Sequence, residues 1–324
     1  MKKYIVLIII IVMLCIPLSV FAGCSSPDDG KLKVVVTVFP EYDWVMNVLG
    51  ERASEVKPTL LLDSNIDLHS YAPTPDDKVR ISQADLFVYV GGESDKWVPS
   101  ALDEKRNEGR RTISLLETLG DAVKEEELAE GMQEEDEEGE EEETEYDEHV
   151  WLSLRNAKIF VQKIAETLSE IDSEYKALYA ENAARYIASL EALDERYKEM
   201  RAAASDDFIL VADRFPFRYL VDDYDIKYAA AFKGCAADSE VTVETQRKLI
   251  DIANEKNVRA IIVLESTEPK HRTARTIRDG TIRKDQEILV LDSLQSASQK
   301  EYKTGRTYLS VMEENLEVLR KALG

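Results

Sequence analysis

His69 and His149 are two of only three histidines in the chain, and carboxylates sit in positions where they can meet them. His69 follows the β-branched run at 56–62, Asp213 follows 208–212, Glu265 follows 259–264 and Asp292 closes 287–291. His149 lies at the end of an acidic stretch, where the chain enters a helical region. Imidazole plus carboxylate is a ligand set for a divalent metal, with imidazole favouring zinc and carboxylate favouring manganese. No H-x-x-x-H or C-x-x-C spacing reinforces that reading. His271, between Lys270 and Arg272, is surrounded by positive charge and reads as a surface residue. Cys235 has no partner once Cys15 and Cys24 are assigned to a leader. It reads as a small loop residue after Gly234, with a reactive or metal-binding thiol as the alternative.

The elements that must carry these residues alternate. Apolar runs at 33–39, 56–62, 85–90, 208–212, 259–264 and 287–291 are separated by stretches of helical period, such as Tyr42-Trp44-Val45-Val48-Leu49. That pattern predicts an α/β protein with parallel sheets. The runs fall into two groups, so two lobes are expected, and in open α/β sheets ligands bind beyond the carboxyl ends of the strands. Between the groups, apolar residues recur at helical spacing from Arg155 to Ala203, with Asp172 expected as an N-cap dividing the stretch. Residues 173–203 predict one helix of about 46 Å, long enough to run along both lobes. A coiled coil is the alternative, but the stripe is not a strict heptad.

The ends and the charge set further bounds. Lys2 and Lys3, the apolar run Tyr4 to Ile16 and Phe21-Ala22-Gly23-Cys24 read as an export leader. The 324-residue chain carries 64 acidic against 41 basic residues, a formal charge of −23. A chain this acidic, with no basic stripe, is not a nucleic-acid binder. Residues 125–148 hold 16 acidic side chains and neither Lys nor Arg. Self-repulsion with little to bury predicts a disordered surface loop over about 125–146, either merely solvated or weakly cation-collecting.

Several segments carry a resemblance: VVVTVFPEYDWV (34–45), HSYAPTPDD (69–77), ADLFVYVGGESDKW (84–97) and DEHVWLSLRNA (147–157). So do YAENAARYIASLEALDERY (179–197), FPFRYLVDDYDI (215–226) and LDSLQS (291–296). Together they resemble the metal-binding lipoproteins of bacterial zinc and manganese ABC importers, the ZnuA/TroA type of solute-binding protein. The resemblance implies two small parallel-sheet α/β lobes bridged by one long rigid helix, with the metal in the cleft between them. It also implies a lipobox. Residues 1–23 would be the signal peptide, Cys24 the lipid-modified first residue and 24–31 a tether on the outer face of the bacterial cytoplasmic membrane. The N-terminal lobe would then be 32–172, the linking helix 173–203 and the C-terminal lobe 204–324.

Carried over residue by residue, the family's ligands fall on His69, His149 and Asp292, but the third falls on Arg214, which cannot ligate a cation. Three repairs are open: Glu265 supplies an oxygen while Arg214 pairs with a carboxylate, Asp213 turns inward, or water fills the position. The expected role is capture of Zn2+, or Mn2+, by a lipid-anchored monomer that passes it to a membrane permease and its ATPase. No enzymatic activity is expected. The rivals are a surface adhesin or structural lipoprotein of the same fold and, more remotely, a zinc hydrolase. Histidine ligation also predicts weaker binding below about pH 6.

Overall fold

In the computed structural model the β-branched run at 34–36 is the strand β1 (Val34–Val36), and the chain then alternates as its periodicity requires. The described residues are 31–324 except 64–65, 104–106, 133–144, 236–240 and 266–270. The leader, Cys24, the tether up to Gly30 and the middle of the acidic block therefore lie outside them.

Helix α1 (Phe39–Leu49) follows β1 and buries Trp44, Val45, Val48 and Leu49. Strand β2 (Thr59–Leu60), helix α2 (Pro75–Gln83), β3 (Leu86–Tyr89) and β4 (Arg111–Ser114) complete the first sheet, in the order β2-β1-β3-β4 with every pairing parallel. Thr74 and Pro75 start α2: the Thr74 hydroxyl accepts from Asp77 N–H and the Asp77 carboxylate accepts from Thr74 N–H at 2.9 Å. This fixes where the loop containing His69 must end.

Helix α3 (Leu154–Ile171) packs its Phe160, Ile164 and Leu168 stripe inward. Helix α4 (Lys176–Ala203) follows a single 3-10 turn at Ser173–Tyr175. Its 28 residues span about 42 Å. Asp172 does not cap it. That carboxylate instead accepts from Tyr179 at 2.7 Å and from Arg52 at 3.2 Å, tying the helix start to the first lobe. Tyr186 donates to Asp43 of α1 at 2.7 Å. Near the far end, Tyr197 donates to the Met312 carbonyl at 2.6 Å.

The second sheet comprises β5 (Phe208–Phe215), β6 (Lys227–Lys233), β7 (Ala260–Leu264) and β8 (Glu287–Leu291), in the order β6-β5-β7-β8 and again parallel. Helices α5 (Val243–Glu255), α6 (Arg272–Gly280) and α7 (Tyr308–Leu323) flank it. The two sheets thus repeat one topology, each with a switch point between its two middle strands. One apolar core joins them, running from Trp44 through Phe160 and Tyr197 to Tyr308, all fully buried. Each such side chain contributes roughly 1.5–3 kcal/mol by burial, so the lobes share their stability through the helices between them. Among the described residues, no helix is long and apolar enough to cross a membrane.

The acidic block departs from the loop expected at 125–146. Its described start is placed: Glu125 forms an antiparallel bridge with Tyr146, Glu127 pairs with Arg218 at 2.6 Å, and Met132 is buried. Ala230 N–H of β6 donates to the Glu130 carbonyl at 3.3 Å. Pairing with an arginine and burial of Met132 supply what self-repulsion alone would have denied.

Candidate metal centre

Two loops bring the imidazoles together. Asp67 caps the short turn Leu68–Ser70 by accepting from His69 N–H, and this turn presents His69 after β2. His149 starts the turn Val150–Leu152 just before α3, fully buried. The His69 and His149 Nε2 atoms lie 3.3 Å apart.

The outer nitrogens fix which form each ring takes. Ser94 donates its single hydroxyl proton to Glu148, so the Ser94 oxygen, 2.8 Å from His69 Nδ1, accepts from that ring. Asp147 accepts from His149 Nδ1 at 2.9 Å and from its main-chain N–H at 2.8 Å. Assigned from this bonding order, both rings carry their proton on Nδ1 and turn a bare Nε2 lone pair towards the other. Two lone pairs at that distance repel unless a cation lies between them. Carboxylate–imidazole–metal relays have this arrangement.

The supports are themselves held. Tyr219 donates to the Asp147 carbonyl at 3.0 Å. Gly92 has φ +81°, and a Cβ there would lie 2.4 Å from Glu148 Oε1, so a glycine is needed for that carboxylate to reach Ser94. Burial, then His149, holds His69 down to about 3, and burial holds His149 down to about 4. The nearby Arg214 charge acts in the same direction on both. Burial thus favours the neutral form of both rings, the form that ligates a metal.

The remaining sequence candidates are employed elsewhere. Arg214 does not follow a strand but lies within β5, beyond a register shift, and its guanidinium reaches across to Asp67 at 2.7 Å. It thereby clamps the second lobe to the cap of the His69 turn. Asp213 accepts from Arg214 N–H at 2.9 Å and from Leu264 N–H at 3.4 Å. Glu265 accepts from Ser293 N–H at 2.9 Å and from its hydroxyl at 2.7 Å. Asp292 accepts from Leu294 N–H at 2.8 Å and pairs with Arg306. Among the described residues, none of Asp213, Glu265 and Asp292 joins a group of three metal-binding donor atoms with the histidines. Arg214 is paired with a carboxylate, and among the described residues neither the oxygens of Glu265 nor those of Asp213 join the donor group of the histidines.

What does join them is Cys235. Its sulfur and one nitrogen of each of His69 and His149 lie within 4.8 Å of one another. Cys235 stands two residues after β6, and its N–H donates to Glu126 at 3.2 Å. Gly234 lets the loop pass: a Cβ there would be 2.9 Å from the Phe215 carbonyl and 3.2 Å from the His149 ring. Burial pushes the thiol well above its ordinary value, with the carboxylates of Glu126, Asp147 and Glu148 adding to it. A bound cation reverses that balance, since a coordinating thiol is deprotonated outright. A pocket of about 200 Å³ borders the group, lined by His69, Ser94, Glu148 and Cys235 and by Glu145 and Tyr146 from the end of the acidic block. Sequence reasoning kept a metal-binding role for Cys235 only as the alternative, and passed over Ser94, Asp147 and Glu148. The available signal was that Ser94 and the Asp147-Glu148 pair belong to the GGESDKW and DEHVW segments.

Two facing imidazoles of the first lobe stand on this doubled α/β frame, and comparison with known proteins decides the kinship. The chain matches the family described as zinc-uptake complex component A, periplasmic, over residues 34–322. It belongs to that family. Among its relatives, the zinc-binding lipoprotein AdcA of Streptococcus pneumoniae serotype 4 is 31% identical over 319 residues, 97% of this chain. The chain spans only 60% of that relative's length. The high-affinity zinc uptake system protein ZnuA of Bacillus subtilis is 31% identical over 306 residues, 93% of this chain and 90% of the relative. The solved Zn(II)-bound ZnuA-like domain of pneumococcal AdcA superposes with a TM-score of 0.70 at 28% identity, over 91% of this chain and 99% of that one. The family's fold is the one expected from the sequence: two parallel-sheet α/β lobes with a long helix between them.

Proposed function

We propose that this protein is the extracytoplasmic receptor of a metal importer, capturing Zn2+ between its lobes and delivering it to a membrane permease driven by an ATPase. One observation carries the reading: the Nε2 atoms of His69 and His149 face each other at 3.3 Å, each ring held by a bond at its other nitrogen. The names of the relatives support zinc as the cargo, and imidazole-rich coordination favours zinc over manganese. The protein would act as a lipid-anchored monomer, tethered through Cys24 outside the cytoplasmic membrane, and as a binding protein rather than an enzyme.

The shared core and the long helix α4 oppose a wide hinge motion, so release would come from a small displacement of one lobe. A cation held by groups from both lobes loses affinity steeply when either shifts. Calorimetric titration with Zn2+ tests the reading. One tight site, abolished by His69→Ala, is expected. Binding no tighter than about 10 μM, or ~6.8 kcal/mol, would remove the receptor function and leave an adhesin-type role for the fold.

A further inference from the structure

We propose that the thiolate of Cys235 is the second lobe's ligand to the metal, completing a His69–His149–Cys235 set; this rests on the receptor reading above. Arg214 is committed to Asp67 and, as a guanidinium, cannot ligate a cation. Asp292 and Glu265 accept hydrogen bonds from Leu294 and Arg306 and from Ser293, and among the described residues neither places a donor atom with the two histidines, whereas Cys235 does. The second lobe therefore faces the histidines with sulfur.

The geometry suits zinc. Tetrahedral Zn2+ with Zn–N bonds of about 2.05 Å places two nitrogen ligands about 3.3 Å apart. The Nε2 separation here is 3.3 Å, and the sulfur lies within 4.8 Å of the ring nitrogens. Gly234 is the feature that brings Cys235 alongside the His149 ring. Three protein donors leave a fourth position to solvent, the labile form of zinc coordination rather than the closed structural one, as a carrier that must surrender its ion requires. Thiolate also fixes the class of cargo: zinc and other thiophilic divalent ions are favoured, and manganese, which prefers oxygen, is disfavoured.

The test loads the full chain with Co2+ as a spectroscopic stand-in and measures Zn2+ affinity of the native protein, Cys235→Ser, His69→Ala and Asp292→Asn. A thiolate-to-cobalt charge-transfer band is expected in the native protein and absent in Cys235→Ser. Zn2+ affinity should fall at least about tenfold in Cys235→Ser, while Asp292→Asn keeps it. A native Co2+ spectrum without that band, or unchanged Zn2+ affinity in Cys235→Ser, overturns the assignment. Tight zinc binding lost in His69→Ala but kept in Cys235→Ser removes the thiolate and leaves the receptor reading standing. No zinc site in the native chain overturns both. Alkylation of the native protein, with the peptide containing Cys235 read by mass spectrometry, needs no variant: zinc should protect the thiol, and equal labelling with and without zinc overturns the proposal.

Discussion

Two clusters at the strand ends contain residue types that can bind metals, yet their polar atoms are arranged differently. Around His69 and His149 the hydrogen bonds run outward, to Ser94 and Asp147, so the inward-facing atoms are left with unshared electron pairs. Around Asp292 and Glu265 the bonds run inward, and Arg306 with Ser293 occupies the carboxylate oxygens. Residue type is the same kind of evidence in both places. What separates them is placement: the two imidazoles bring donor atoms together, with the Cys235 sulfur, and the carboxylates of Asp292 and Glu265 do not join that group.

That contrast can be broken most decisively at the histidines. His149→Ala should lower zinc affinity at least a hundredfold, about 2.7 kcal/mol, whereas Asp292→Asn should leave it within about threefold. Calorimetry on the two variants side by side reverses the comparison if Asp292→Asn is the worse binder. Next in size, Asp147→Asn should cost roughly 10- to 100-fold in affinity, because a neutral amide oxygen holds the Nδ1–H form of His149 more weakly than the carboxylate and adds less to the ring's basicity. An unchanged affinity would mean that the ring needs no such orientation.

The second cluster should answer in stability instead. Asp292→Asn removes the nearer of the two carboxylates that Arg306 pairs with, leaving Glu301 at 3.8 Å, and should cost about 1–2 kcal/mol in denaturant unfolding without metal; no loss would mean the clasp holds nothing. The smallest expected effect is a pH slope. Burial, then Asp292, raises the Glu265 carboxyl from its ordinary 4.5 to about 7. The folded protein thus holds a proton there that the unfolded chain has released, and this contribution to stability is lost as pH rises from about 4.5 through 7. Glu265→Gln should flatten the metal-free unfolding profile over that window; an identical slope in the variant would show Glu265 ionised throughout.

Much of this was legible before any coordinates. Strands with β-branched runs were visible as such, and so were His69 and His149 beside them. Strands β4 and β6 were not, because RTIS and KYAAAFK lack the apolar β-branched density that marks a buried strand. Missing β6 had a chemical cost. Cys235 lies at the carboxyl end of that strand, where ligands gather, but without the strand a small residue after a glycine was the first reading and a metal-binding thiol only the alternative. Asp213 and Arg214 were misplaced for the opposite reason, since β5 continues through its register shift to Phe215.

By itself the sequence determined the alternation of strands and helices, the parallel sheets, the long helix and the two imidazoles, since these follow from local periodicity and residue type. Only the tertiary structure decided which partners each polar atom would have. Arg214 became a clamp on Asp67, Asp292 and Glu265 closed on Arg306 and Ser293, and the sulfur of Cys235 came to lie against two histidines far from it in the chain. A side chain's type sets what it can bind, but a buried lone pair is taken by whichever donor the packing brings to it first.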